Sequence, residues 1–103
     1  MGPQNIAKYK YNLDSGSETT RQLATSGGKE IVAVIVTAGA QPAVLRVYDS
    51  ATSGGSSKDS FIIAANAGES TCFQPSKPIL FERGIYVDFE QGTPSGEAFI
   101  AWN

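Results

Sequence analysis

A chain of 103 residues, 41% hydrophobic and 17% charged, has room for one domain and one core. Its eight Lys and Arg against ten Asp and Glu give a net charge of −2 with the cations scattered, so the clustered phosphate-neutralising side chains that nucleic-acid binding needs are not present. There is no histidine and a single cysteine, Cys72, which excludes Ser-His-Asp and Cys-His catalysis, histidine-ligated metals and an internal disulfide.

Residues 1–6 contain Gly2 and Pro3, which oppose regular structure, and read as an arm. They lack the basic-then-apolar layout of a secretory signal, so synthesis in the cytoplasm is expected. Residues 7–13 alternate, with Tyr9, Tyr11 and Leu13 on one side and Lys8, Lys10 and Asn12 on the other, as in a strand with one wet face. The tyrosines either fill the core or form an intersubunit contact. The arm and first strand, 1–12, are followed by a single β domain over 13–103.

Residues 14–17 are a turn cluster, and 18–25 have modest β propensity. Residues 30–38, EIVAVIVTA, are the most hydrophobic stretch and rich in β-branched side chains, which favours a strand. Apolar residues on both of its faces predict burial on both, by a second sheet or a neighbouring subunit. The run is far shorter than the roughly 18 residues a membrane-spanning helix needs. A turn at 39–42 leads into 43–49, where Leu45 and Val47 oppose Val44, Arg46 and Tyr48, and the pair reads as a hairpin.

Residues 50–57, SATSGGSS, form a polar loop that reads as a long hairpin tip between Asp49 and Asp59. It lacks the Lys-Ser/Thr and following helix of a phosphate-binding loop. A strand at 59–65 ends in the turn 66–69, and 70–74 places Thr71 and Phe73 opposite Cys72, expected to be a small buried hydrophobe. Pro75 and Pro78 bracket a kink into residues 79–89, ILFERGIYVDF, which reads as a hairpin turning at Arg83-Gly84 with Gly84 supplying φ > 0. After Gly84, Ile85, Val87 and Phe89 alternate with Tyr86, Asp88 and Glu90. A turn at 91–96 precedes the last strand, 97–102, with Ala98, Ile100 and Trp102 on one face and Phe99 on the other. Eight or nine short strands with turn signals between them predict an all-β antiparallel sandwich or jelly roll.

The one acidic concentration is Glu82, Asp88 and Glu90, where a hairpin would bring Glu82 beside the other two. That geometry suits Ca²⁺ or a glycosidase pair. A solvated strand face offset by Lys77 and Arg83 is the preferred reading, and no catalytic, cofactor or metal site is assigned. Trp102 and Phe99 either stack a sugar ring or tuck into the core.

The segments VLRVYDSATSGG (44–55), FIIAANAGES (61–70) and PILFERGIYVDFEQG (78–92) resemble small virion proteins of tailed bacteriophages, across about residues 30–102. Within that group the chain resembles capsid decoration, or cement, proteins. The resemblance implies a non-enzymatic structural role on the capsid surface, binding the major capsid protein, with a trimer as the favoured homo-oligomer. The residues themselves offer Tyr9, Tyr11, Tyr86 and Trp102 as interface candidates. A tail, connector or head-fibre component is one alternative, and a carbohydrate- or receptor-binding sandwich module is another.

Overall fold

The computed structural model describes residues 5–12, 17–18, 22–52, 60–90 and 92–103. They form two antiparallel sheets packed face to face, a β-sandwich, as the strand spacing predicts. The strands are β1 (Asn5–Asn12), β2 (Ser17–Glu18), β3 (Gln22–Ala24), β4 (Lys29–Ala38), β5 (Ala43–Tyr48), β6 (Ser60–Ala65), β7 (Ser70–Phe73), β8 (Ile79–Phe81), β9 (Ile85–Phe89) and β10 (Ser95–Trp102). The larger sheet runs β2-β1-β10-β4, and β4 then carries β7 along one half of its far edge and β8 along the other. Counted by position, β7 and β8 are one strand broken between Pro75 and Pro78, since proline cannot donate to the ladder. The smaller sheet runs β3-β9-β5-β6.

The core lies between the sheets. Tyr9, Val34, Val36, Ala98, Ile100 and Trp102 from the larger sheet meet Leu45, Val47, Ile63, Ile85, Val87 and Phe89 from the smaller, all buried. Tyr9 stacks on Phe89 with ring centroids 5.2 Å apart, an offset arrangement that aromatic quadrupoles favour. Burying a side chain of this size stabilises by roughly 1.5–3 kcal/mol relative to exposing it.

Two predicted hairpins are corrected. β4 and β5 belong to different sheets, and so do β8 and β9: Ile79–Phe81 pairs with β4, whereas Ile85–Phe89 pairs with β3 and β5. Both connections cross the sandwich. Gly84 does not have positive φ; among the described glycines, Gly28, Gly68 and Gly92 do. Gly84 is required for space, because a Cβ there would lie 2.5 Å from the Ala24 carbonyl oxygen and 2.7 Å from that of Ser50. The predicted hairpin at 43–65 is present, with β5 paired to β6 from Ala43↔Ala65 to Tyr48↔Ser60; its tip, 53–59, lies outside the described residues, as does Leu13. The predicted arm is shortened, since Asn5 and Ile6 pair with Trp102 and Ala101 in β1.

The crossings are held at one polar corner. The Asp49 carboxylate accepts backbone N–H groups from Glu82 (3.0 Å), Arg83 (2.7 Å) and Gly84 (3.3 Å). Beside it, the Gln22 Nε2 donates to the carbonyls of Ala24 (2.8 Å), Ser50 (2.8 Å) and Ile85 (3.1 Å), tying β3 to the end of β5 and the start of β9. Groups that a crossing would leave unpaired therefore find partners within the chain.

Candidate functional site

Strand β4 was expected to be covered on both faces, and the described residues cover only one. Between Ala101 and Trp102 the β10–β4 register slips, pairing Ala101 with Ala33 and Trp102 with Ile31. Val32 is the extra residue of a bulge, which shifts the side-chain alternation by one. Ile31, Val34, Val36 and Ala38 consequently all reach the core, and Ile35 is left on the outer face.

The register assembles that outer face across four strands. One row reads Lys8, Phe99, Ile35, Cys72 on β1, β10, β4 and β7, each directly opposite the next. The row below holds Ile6, Ala101 and Ala33, and the row above holds Lys10, Glu97, Thr37 and Ser70. Ile6 is 69% exposed, Phe99 40% and Ile35 38%, and Leu80 on β8, opposite Glu30, is 57% exposed. An apolar band with polar groups around it is the anatomy of a protein–protein contact surface.

Electrostatics reinforce the rim. Lys8 forms an ion pair with Glu97 on the neighbouring strand and leans over the Phe99 ring, its Nζ 5.4 Å from the centroid. At the polar end of the face an open groove of about 300 Å³ is lined by Lys10, Asn12, Thr37, Gly39, Ser95 and Glu97, among others. Its chemistry is that of a mixed hydrogen-bonding surface with one cation and one anion side by side.

The residues singled out from sequence separate. Tyr9 and Trp102 are buried in the core cluster, as their core-filling alternative has it, while Tyr86, on the face opposite Ile85 and Val87, is buried outside that cluster beside the Tyr48 ring, so little of the three is left for a partner to cover. Tyr11 is half-buried, its ring 6.3 Å from that of Phe89. Trp102 and Phe99 point to opposite faces and share no platform. Glu82, Asp88 and Glu90 do not converge either: Glu90 pairs with Arg46, Asp88 accepts the Tyr9 hydroxyl at 3.4 Å, and Glu82 lies at the crossing beyond β8. Among the described residues no three of His, Cys, Asp and Glu lie together in a group that could hold a metal ion. Cys72 corrects its expectation outright, being exposed on the outer face.

Ile6, Ile35, Phe99 and Leu80 were not marked as a surface by the sequence pattern. The available signal was the two-sided apolarity of 30–38, of which the described residues cover only one side. Comparison of the chain with protein-family models, with curated proteins and with solved structures finds no match.

Proposed function

We propose that this chain is a non-enzymatic structural protein that works by being covered by other protein surfaces, and specifically a decoration protein of a tailed-bacteriophage capsid. The observation that carries the proposal is the apolar band centred on Phe99 and Ile35, which the described residues leave open on the outside of a sandwich with its own buried core. A surface of this kind is stabilised by removing it from water, at roughly 25 cal/mol per Å² of apolar area covered. The resemblance of residues 44–55, 61–70 and 78–92 to phage virion proteins supplies the setting.

In that role each copy contributes a modest contact, and repetition over a lattice of capsid subunits multiplies it, so that the shell is held without any single tight site. The alternative is a tail, connector or head-fibre component with the same sandwich in few copies. A sugar-binding module ranks behind both, because Trp102 and Tyr86, the aromatics it would use, are buried. Quantitative mass spectrometry of purified particles tests the proposal. A copy number comparable to that of the major capsid protein supports decoration, a few copies per particle favours the tail or connector role, and absence from the particle rejects both.

A further inference from the structure

We propose that the outer edge of β6 pairs with β6 of a second copy of this chain, antiparallel about a two-fold axis at Ile62, so that the two smaller sheets join into one. The inference stands apart from the virion reading and from the apolar band on the larger sheet.

Sheet edges present unpaired backbone groups that other chains can pair with, and natural folds blunt them with short strands, prolines, bulges or charges. Among the described strands, three of the four edges are blunted in this way. β2 has two residues, β3 has three with a register shift between Gln22 and Ala24, and the edge made by β7 and β8 is broken between Pro75 and Pro78. β6 has none of these devices. It runs six residues, SFIIAA, in unbroken register with β5, with neither proline nor charge.

The ladder fixes which of its backbone groups face out. The Glu90 N–H donates to the carbonyl of Val44, directly opposite it (2.7 Å), so the even-numbered residues of β5 bond β9 and the odd-numbered ones bond β6. Phe61, Ile63 and Ala65 are therefore the residues that bond β5, and the N–H and C=O groups of Ser60, Ile62 and Ala64 point to the open side. The Thr71 hydroxyl reaches the Ala64 carbonyl from that side (2.7 Å), leaving the oxygen a second lone pair. Ile62 has no such backbone partner among the described residues, and its side chain is 49% exposed.

The strand complements itself. Antiparallel pairing that sets Ile62 opposite Ile62 of the other copy also sets Ser60 opposite Ala64 and Phe61 opposite Ile63. Small side chains meet small ones, an aromatic meets a β-branched residue, and no like charges face each other, which are the cross-strand pairs that stabilise an antiparallel ladder. All three outward-facing residues then occupy hydrogen-bonded positions. A slip of two residues either way leaves one of them in each copy without a partner in β6. Only one strand from each copy takes part, so the contact is well below a standard interface and the pair forms in a concentration-dependent way.

The test combines sedimentation equilibrium of the full chain with amide hydrogen exchange, both over a wide concentration range. The average mass should climb from one chain toward two, and over the same range the Ile62 and Ala64 amides should gain protection while those of Phe61 and Ile63, already bonded to β5, change little. Ile62→Lys and Ile62→Glu each place like charges opposite one another and should weaken association, with the far-UV spectrum of the fold retained because the side chain faces solvent. An equimolar mixture of the two variants should associate about tenfold more tightly than either alone, a rescue expected only if residue 62 meets itself across the pair. A mass that stays at one chain throughout, a two-chain species in which the Ile62 amide gains no protection, or a mixture no tighter than its components overturns the inference.

Discussion

The Asp49 carboxylate receives the backbone N–H of Arg83 at 2.7 Å, joining the end of β5 to the point where the chain passes from one sheet to the other. The same carboxylate takes the N–H groups of Glu82 and Gly84. Three donors converge on one side chain, so its loss leaves several backbone groups without their acceptor at once.

Replacing Asp49 by Ala should destabilise the fold by about 1–3 kcal/mol. For a domain of this size each kcal/mol is worth roughly 4–8 °C in Tm, so the loss is readable by calorimetry. Asp49→Asn should recover part of it, because one amide oxygen still accepts. Equal melting points for the unaltered and Ala proteins would show that the corner is held by something else.

Gly84→Ala should be far worse than Gly28→Ala. A methyl group at Gly84 meets two backbone carbonyls at 2.5 and 2.7 Å, atoms that cannot swing aside, and the expected cost is at least about 3 kcal/mol. At Gly28 nothing stands within 4 Å, and the cost comes only from its φ of 75°, about 1–2 kcal/mol. Urea denaturation of the two variants gives the ranking directly, and a reversed order would mean that the crossing at Gly84 is looser than its contacts imply.

Gln22→Ala removes an amide that holds three carbonyls together. We expect a loss of about 1–3 kcal/mol and, more specifically, faster hydrogen exchange at the β9 amides that face β3. Exchange that quickens uniformly over both sheets would indicate global destabilisation without release of β3.

Cys72 should react with a disulfide reagent such as DTNB in the folded, dilute protein, giving one thiol per chain without denaturant. A thiol that reacts only after unfolding would contradict its exposed position on β7.

Core truncation provides a reference scale. Ile100 is fully buried between the sheets, and Ile100→Ala should cost about 2–5 kcal/mol by lost transfer energy and the cavity left behind. Phe99→Ala, one position away and facing outward, loses only its cross-strand contacts and should cost about 1 kcal/mol, clearly less than Ile100→Ala, in the same chemical denaturation series.

Strand positions and side-chain parity were legible wherever the ladder is regular. Residues 43–48 and 85–89 bury Leu45, Val47, Ile85, Val87 and Phe89 as alternation requires. Connection geometry was not legible, because ILFERGIYVDF satisfies local rules equally well as a hairpin or as a crossing. The crossing is held by Asp49, distant in sequence, whose carboxylate no local rule places beside residues 82–84. Strand β4 was misread on one face for a different reason. Its bulge at Val32 breaks the period of two, so Ile31 and Val34 share a face that simple alternation would deny them. Cys72 shows the remaining gap: its opposition to Thr71 and Phe73 was correct, but alternation says only that faces differ and not which one is wet.

The place of β10 bears on how the protein is made. It lies between β1 and β4 in the larger sheet although it follows every other described strand. During synthesis the ribosome therefore delivers the middle of that sheet last, and β1 and β4 wait with facing edges unpaired until residues 95–102 emerge. Unpaired apolar edges are aggregation sites, so the nascent chain is most exposed to misassembly until β10 emerges, and chaperone demand should peak there.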